Sequence, residues 1–589
     1  MKRFLPAIGT PAYHVMLSLV AICILGPLGG ISAAFMNFSI GFFIGGQVLA
    51  GILGSAVTLP YGPEGKHGAN YMQTMAASVA GMCGMAVLIQ ARYWLGLPEV
   101  PGWQMALFYG CIGMLGCGIG MLYTPILVDR MQLNFPSGFA VANILRALTD
   151  PQLLRRSIAK LGGGMALGYA VGLGSLKVAV VAATGLSSST VGAGMIVGAR
   201  IAIPALVVAG VGHFASPYLV SLGWLNAGDP YRKIGFIIAL GTILGAALLD
   251  IVLILWEAAR RFRAQQPVNP EPQPDWQRVN FWRLVLWVLV WSAAVVAVGH
   301  AVLGEPVRFL LIAVGLCFFF VLVNGISLGI SDSNPISSAF VLTVFILAAV
   351  GLTSPGTGLM CASILLIACS SGGDMQQDRS TGWRLKTNRV TQFRYQIIGI
   401  VFGACFAVLL ARIFLQAYPV LKVDQFGHEV AGAEHWQSAM TYKFVGALRG
   451  ITTHQPHILK ALWLGIAGGL ATELVRKLVK RSPRYRAFST GGRTGRTADF
   501  LFDAVLMPSP YASSFGGFVE LVTVYWWTAG GVFGSMYNTF AARPPAAAEG
   551  GAALPDDMGT MSLIGGGLIA GDSLAALSVG IYGLLTTVL

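Results

Sequence analysis

Long apolar stretches, separated by short polar connections, follow one another along the whole chain. A helix needs about 20 apolar residues to cross the hydrocarbon core of a bilayer. Fifteen stretches reach or approach that length, and they lie near residues 13–35, 38–59, 72–97, 104–128, 161–186, 191–212, 231–256, 282–303, 306–330, 337–353, 357–371, 395–416, 457–475, 513–537 and 559–588. The pattern predicts an all-α, polytopic integral membrane protein, in which the short pair 337–353 and 357–371 could be half-helices.

The charges in the connections predict how the spans are oriented. Between Arg476 and Arg496 the chain has eight Lys or Arg and no acid, and between Arg379 and Arg394 it has five and no acid. The connection 417–456 instead holds three basic and three acidic residues. Because Lys and Arg resist translocation, the basic connections are predicted to be cytoplasmic and 417–456 to be an external loop.

The number of spans follows from the same rule, since two cytoplasmic connections must be separated by an even number of crossings. Only three stretches separate Lys160 from Arg260, both of which lie in basic connections. A split of 161–186, or a short pass around 213–226, would restore the parity. We therefore expect about sixteen transmembrane helices, some of them broken or re-entrant, with both termini on the cytoplasmic side of the cell (inner) membrane.

One connection divides the chain. Residues 260–278 are charged and rich in proline, a composition that cannot form a membrane helix. This linker joins approximate halves 1–260 and 279–589. Apolar stretches occur on both sides of it and leave no room for a separate soluble core, so we expect a single transmembrane domain over 1–589.

Composition supports the membrane assignment. Hydrophobic residues make up 55% of the chain and charged residues 11%, with a mean hydropathy of +0.70, whereas a soluble domain carries roughly 25% charged residues. The net charge of +14 would suggest a nucleic-acid partner in a soluble protein, but the basic residues lie in connections without interleaved stacking aromatics. Eight scattered cysteines form no CxxC pair. We predict no nucleic-acid partner, no metal site and no cofactor.

Three polar segments interrupt the apolar pattern, at 132–143, 329–338 and 369–382. Irregular backbone at membrane depth is tolerated only where protein buries it or water lines it, so such breaks often form substrate sites in transporters. Each could equally be a loop at the interface. The residues predicted to bind substrate are Asn134, Pro136, Ser137, Gly138, Asp332, Asn334, Asp374, Gln376 and Asp378.

Ionisable residues within apolar stretches are a second indication of function, because a charge near the bilayer centre costs at least about 2.5 kcal/mol. Asp374, Glu520 and Asp572 are predicted to couple transport to protons, since a desolvated carboxyl group can take up a proton on one side and release it on the other. Lys177 and Arg200 could hold a peptide carboxylate or neutralise internal acids. Asp250 could have a functional role or form a helix–helix hydrogen bond, and snorkelling near span ends explains Arg412 and Glu473.

Four motifs carry a family resemblance. NFPSGFAVA at 134–142, SNPIS at 333–337, DMQQDRSTGW at 374–383 and SLIGGGLIAGD at 562–572 resemble, in order, signature segments of the oligopeptide transporter family, the second of them as found in bacterial members. The resemblance implies roughly sixteen helices and cation-driven, usually proton-driven, uptake of small peptides or peptide-like metal chelates. Ser380 and Asp572 depart from the family pattern, which usually has Lys and Glu there.

The leading hypothesis is therefore a proton-coupled symporter for oligopeptides or metal chelates that works by alternating access. Sodium could replace the proton, since hydroxyls and carbonyls at the breaks could bind it. A membrane-embedded enzyme acting on lipid-linked substrates is the alternative, although the one GxSxG match, 325–329, lies inside an apolar run without the strand-to-helix turn that a nucleophile needs. We predict that the chain is not an enzyme. The sequence determines neither the substrate nor the oligomeric state.

Overall fold

Helices make up nearly all of the structure, and no strand occurs in the part of the chain that it describes. The structure is a computed structural model, and it describes residues 5–578 except 40–46, 134, 136–137, 139–140, 143–144, 146–150, 179–182, 264–273, 332–333, 335, 427–429, 431–432, 434–435, 453–455, 519–520, 541–559, 562, 566, 569–570, 573 and 576–577.

Among the described residues, ten α-helices with defined bounds precede the linker and eleven follow it. The first ten are α1 (Pro11–Val20), α2 (Gly26–Ser39), α3 (Gln47–Thr58), α4 (Gly65–Cys83), α5 (Val87–Trp94), α6 (Gly102–Thr124), α7 (Pro151–Lys177), α8 (Ser188–Val197), α9 (Ala199–Ser221) and α10 (Arg232–Arg263). The others are α11 (Phe281–Ala301), α12 (Val307–Ser331), α13 (Ile336–Ala349), α14 (Pro355–Leu385), α15 (Arg389–Ala417), α16 (Ala439–Thr452), α17 (Pro456–Arg481), α18 (Pro483–Thr490), α19 (Arg493–Leu501), α20 (Pro510–Phe518) and α21 (Leu521–Phe540). Residues 560–578 are helical wherever they are described.

In the described part of the chain, eight helical stretches are long and apolar enough to cross a membrane: Pro11–Phe38, Leu53–Trp94, Gly102–Arg130, Ala199–Ser221, Phe281–Ala301, Val307–Ile326, Pro355–Leu385 and Arg389–Ala417. On α11, large apolar side chains such as Trp282 (76% exposed) and Leu286 (61%) point away from the protein. Such a surface is stable in lipid and would be costly in water. The all-α, polytopic membrane class is confirmed, while the number sixteen stays a prediction.

Capping residues fix the hairpin of α14 and α15. Ser354 accepts a hydrogen bond from the backbone N–H of Thr357 at 3.3 Å, and Pro355 occupies the first turn of α14. Asn388 accepts from Thr391 N–H at 2.9 Å to begin α15. Between the helices, Lys386 adopts a left-handed conformation with φ of 59°. The chain therefore reverses within three residues, and α15 lies beside α14.

Two predicted boundaries are wrong. The stretch 357–371 is not a half-helix, because α14 continues without interruption for 31 residues to Leu385. The stretch 191–212 is not one helix, because Gly198 has φ of 82°, which ends α8 and lets α9 begin in a new direction and extend to Ser221. The first prediction ended the helix too early because the residues after 371 are polar. The second missed the helix end at Gly198 because this glycine lies inside an apolar stretch.

The predicted external loop 417–456 contains a buried helix, α16. Its Tyr442 and Phe444 side chains are almost fully buried, and the Phe444 ring stacks on Phe340 of α13 with centroids 4.1 Å apart. The Arg232 guanidinium at the start of α10 lies 4.7 Å from the Tyr442 ring centroid. The prediction that this whole connection is an external loop is therefore wrong, since a 14-residue segment of it packs inside the helix bundle.

Glycines bring particular helix pairs into close contact across the linker. A Cβ atom at Gly245 of α10 would lie 2.0 Å from the Ile466 carbonyl of α17, and one at Gly469 would lie 2.0 Å from the Thr242 carbonyl. Glycines also allow α6 to pack closely on α14, since a Cβ at Gly120 would lie 2.5 Å from the Gly372 carbonyl. Small residues at this spacing let membrane helices pack at backbone distance. As a result α14 lies in the interior, packed by α4, α6, α12, α13 and α15.

Candidate functional site

The second half of α14 carries a dense group of polar side chains inside the bundle. Its buried members are Gln376, Gln377, Asp378, Arg379, Ser380 and Thr381, and Asp374 is partly accessible. The predicted break at 369–382 is wrong, because the backbone is helical throughout. The helix persists because its polar side chains find partners on neighbouring helices, so the backbone can keep its own hydrogen bonds.

Asp378 is held by side chains of α4 and α15. Gln73 donates from Nε2 to Asp378 Oδ1 at 2.7 Å, and Asn70 in turn donates to Gln73 Oε1 at 3.0 Å. Gln392 donates from Nε2 to the Asp378 carbonyl and to Thr74 Oγ1, both at 2.9 Å. This network fixes Asp378 as an acceptor in a place where water is largely excluded.

Arg379 and Arg389 add positive charge beside this network. Arg379 is 1% exposed and donates to Gln396 Oε1 at 3.2 Å and to the Arg389 carbonyl at 3.4 Å. Arg389 forms a two-pronged ion pair with Asp129, with N–O distances of 2.6 and 2.9 Å. Because the pair joins the start of α15 to the helical turn that follows α6, it fixes the end of the site where the α14–α15 hairpin turns.

Asp374 lies one turn before Asp378 and borders a small crevice between α4, α14 and α15. A Cβ atom at Gly81 of α4 would lie 2.6 Å from Asp374 Oδ2. Among the described residues, none donates a hydrogen bond to the Asp374 carboxylate. The crevice has an empty volume of about 190 Å³ and is lined by Ser78, Gly81, Met82, Ser370, Ser371, Asp374, Gln396 and Ile400. Pockets for small ligands usually measure about 300–1,000 Å³, so the crevice beside Asp374 is smaller than a ligand site of that kind.

The segment 329–338 reaches α14 on another face. Asn334 donates from Nδ2 to the Cys369 carbonyl at 3.3 Å and accepts from Asn324 Nδ2 at 3.1 Å. Gln376 is fully buried against α12, where a Cβ at Gly325 would lie 1.9 Å from its Oε1. Neither end of the Gln376 amide has a hydrogen-bond partner in the described part of the chain. Asp332, another predicted site residue, lies outside the described residues.

The segment 132–143 meets both α14 and the second segment. The Gly138 carbonyl accepts from Thr381 Oγ1 at 2.9 Å, and Phe135 N–H donates to the Gly329 carbonyl at 2.9 Å. The predicted residues Asn134, Pro136 and Ser137 lie outside the described residues. The structure thus brings parts of all three polar segments onto α14.

The predicted site residues of the three polar segments do not line one common cavity in the described part of the chain. Successive residues of a helix are about 100° apart, so Asp374 and Gln376 point to opposite sides of α14, about 200° apart. Of the predicted site residues, Asp374 alone lines the crevice. Residues that the sequence analysis missed, Gln73, Gln392 and Gln396, complete the polar surroundings. Polar residues at 70, 74 and 78, spaced by one turn in an apolar stretch, were the signal that could have located the partner face on α4.

Two other predicted ionisable residues lie in different surroundings. Asp572 accepts from Ser187 Oγ and from Ser189 N–H, both at 2.9 Å, which places its carboxylate at the N-terminus of α8. Arg200 pairs with Asp499 at 2.9 Å and Asp503 at 2.6 Å, in agreement with its predicted alternative of neutralising acids. Glu520 lies outside the described residues. In the described part of the chain, no three His, Cys, Asp or Glu side chains cluster as metal ligands.

Comparison with models of known protein families identifies a family for this chain. A family model for the OPT oligopeptide transporter protein matches residues 13–582, nearly the whole chain. No curated protein matches the chain.

Proposed function

The chain belongs to the OPT oligopeptide transporter family, and from this premise we propose that it is a proton-coupled symporter that works by alternating access. Membership makes it a multi-pass membrane transporter of oligopeptides and not an enzyme. The observation that carries the proposal of proton coupling is the position of Asp374, which borders a small crevice on the central helix and receives no hydrogen bond from the described residues.

A proton carrier must be able to exist in two protonation states inside the protein. An ionised carboxylate without donors costs free energy in a medium of low dielectric constant, and binding a proton removes that cost. Asp378, one turn later, accepts a hydrogen bond from Gln73 and immediately precedes Arg379 in the sequence, so a donor and a positive charge offset part of the cost of its burial. We therefore assign proton coupling to Asp374 and substrate binding to Asp378.

The hydrogen-bond donors around each carboxylate also distinguish the other proposed proton sites from Asp374. Asp572 receives two hydrogen bonds at the N-terminus of α8, so its carboxylate has donors that the Asp374 carboxylate lacks among the described residues. Its proposed role in proton coupling is therefore secondary to that of Asp374. Glu520 stays a proposal from sequence alone.

Alternating access is supported by the size of the crevice. About 190 Å³ of empty space cannot admit a peptide, so substrate entry requires α4 and α15 to move relative to α14. Asn134, Pro136, Ser137, Gly138, Asp332, Asn334 and Gln376 are proposed to contact substrate after this movement. The proposal includes an inner-membrane location with both termini cytoplasmic.

We include peptide-like metal chelates among the proposed substrates. Sodium is the alternative to the proton as the coupling ion. Ser78, Ser370 and Ser371 place hydroxyl groups around the same crevice as Asp374, and oxygen ligands of this kind also bind sodium. The experiment below separates the two ions.

The test uses purified protein in proteoliposomes. Uptake of labelled di- to pentapeptides and of ferric chelates is measured under an imposed pH gradient, an imposed sodium gradient, or neither. We expect accumulation to require the pH gradient and to collapse with a protonophore. Asp374→Asn should lose accumulation but retain exchange of internal for external substrate, since exchange needs no net proton movement. Asp275→Asn, a change at a 92% exposed carboxylate, is the control. Accumulation by Asp374→Asn equal to that of the wild type would refute the assignment.

A further inference from the structure

A second pocket lies between α5, α6 and α15, next to the connection 95–101 that joins α5 to α6. Its empty volume is about 440 Å³. Leu97, Val100, Met105 and Val408 supply apolar walls, and Arg92 and Arg412 supply two guanidinium groups. It is separate from the Asp374 crevice, because Arg412 is twelve residues beyond Ile400 on α15, or about 18 Å along the helix axis.

One of the two guanidinium groups has no hydrogen-bond or ion-pair partner among the described residues. Arg92 donates to the Pro98 carbonyl at 2.7 Å and interacts with the Glu305 carboxylate, while Glu99 accepts from the Tyr93 hydroxyl at 2.5 Å. Arg412 is exposed, and no residue in the described part of the chain forms a hydrogen bond or ion pair with it. Its Nη2 lies 2.9 Å from where a Cβ at Gly102 would be, so the absence of a side chain there makes room for it.

The charges around the pocket leave a positive excess. Arg92, Arg412 and Lys422, whose Nζ lies 5.5 Å from the Tyr93 ring centroid, are cationic. Glu99 lines the pocket, and Glu305 interacts with Arg92; these are the two carboxylates that the described residues place there. Three cations and two carboxylates leave one positive charge, which matches a ligand with a single negative charge.

The helices that flank the pocket carry large exposed apolar side chains. Trp103 is 64% exposed at the start of α6, and Leu107 and Leu409 are 43% and 48% exposed on the helices that flank the pocket. Exposed tryptophan at the end of a membrane helix is typical of the level of lipid headgroups. The unpaired guanidinium therefore lies at headgroup depth, above apolar walls that could contact an acyl chain.

We propose that this pocket binds an anionic phospholipid, with the Arg412 guanidinium on the headgroup phosphate and the first part of an acyl chain against Val100, Met105 and Val408. Arginine binds phosphate through two parallel N–H···O bonds, which lysine cannot form. A single net negative charge distinguishes phosphatidylglycerol from phosphatidylcholine and matches the excess charge of the pocket.

The experiment measures lipid binding by native mass spectrometry of delipidated protein titrated with phosphatidylglycerol, phosphatidylcholine or glycerol 3-phosphate. We expect phosphatidylglycerol to bind best. Arg412→Gln should weaken its binding about tenfold, and Arg412→Lys should do so less. Arg308→Gln, which removes an exposed cation at the start of the apolar helix α12 outside the pocket, is the matched control and should bind as the wild type does.

Three results would overturn the proposal. Arg412→Gln could bind phosphatidylglycerol as tightly as the wild type does, or glycerol 3-phosphate could compete as effectively as the lipid, which would indicate a site for soluble phosphates. Alternatively, Arg412→Gln could raise the KM for peptide uptake without changing lipid binding, which would indicate a peptide entrance. None of these results bears on Asp374, so the two proposals fail independently.

Discussion

Gln73 donates a hydrogen bond of 2.7 Å to Asp378 across the interface between α4 and α14, over a separation of 305 residues in the chain. The bond joins a helix from before the charged linker to one from after it. It also sets Asp378 apart from Asp374, which lies one turn away and has no such donor among the described residues. Two carboxylates on the same side of one helix are thereby given different surroundings.

Replacing Gln73 with Ala should destabilise the protein by about 1–3 kcal/mol, because Asp378 would lose its donor in a buried place. Thermal unfolding in detergent measures the effect. Gln416→Ala, at an exposed glutamine of α15, is the control and should change the unfolding temperature little. Equal unfolding temperatures for the two variants would show that the hydrogen bond contributes nothing measurable.

Replacing Gly81 with Ala should suppress peptide uptake while the protein remains folded. The added Cβ would lie 2.6 Å from Asp374 Oδ2, so the carboxylate must move out of its present position in the crevice. Uptake into proteoliposomes, with size-exclusion elution as the check on folding, measures this. Gly110→Ala on α6, where the added Cβ would make an ordinary contact of 3.8 Å, should transport normally. Normal uptake by Gly81→Ala would mean that the crevice is not used in transport.

Two neighbouring glycines of α17 should respond differently to the same substitution. A Cβ at Gly469 would lie 2.0 Å from the Thr242 carbonyl of α10, whereas one at Gly468 would meet nothing within 4 Å. Gly469→Ala should therefore force α10 and α17 apart and destabilise the protein by about 1–3 kcal/mol. Gly468→Ala should be neutral or stabilising by up to about 1 kcal/mol, because alanine favours a helix. Chemical unfolding in detergent measures both, and equal effects would contradict the packing described for this pair.

Stability on the acidic side should depend on Asp499, outside the membrane-spanning helices. Partial burial acts to raise the pKa of Asp499, but hydrogen bonds from Arg200 and Tyr485 and the positive charges of Lys480 and Arg200 outweigh it, so the pKa is lowered from its ordinary value of 3.8. The folded state therefore binds this proton less readily than the unfolded state does. The resulting stabilisation is complete above the unfolded pKa and is lost as the pH falls through the lowered folded pKa.

Thermal unfolding measured from pH 6 down to pH 3 tests this expectation. Asp499→Asn should show a shallower fall in unfolding temperature below about pH 4 than the wild type does. Asp275→Asn, at the 92% exposed carboxylate, should retain the wild-type slope. An unchanged slope in Asp499→Asn would assign the acid sensitivity to other groups.

The sequence located most of the helices because lipid requires long apolar stretches, and their lengths can be counted. It also identified Asp374 and Asp378 as unusual, since charged groups are rare at that depth. It did not determine that residues 369–382 are helical. Glycine, serine and glutamine there are typical of a loop unless their partners are known, and those partners, Gln73 and Gln392, lie on other helices.

By itself, the sequence determined that this is a helical membrane protein, that it resembles a peptide-transporter family, and which polar segments interrupt its spans. The tertiary structure decided which side of α14 each polar residue occupies, that Asp374 and Gln376 face apart, and that a segment expected outside the membrane domain is the buried helix α16. The reason is physical. Hydropathy records how each residue interacts with its solvent, whereas the surroundings of a carboxylate depend on donors that only folding brings within hydrogen-bonding distance.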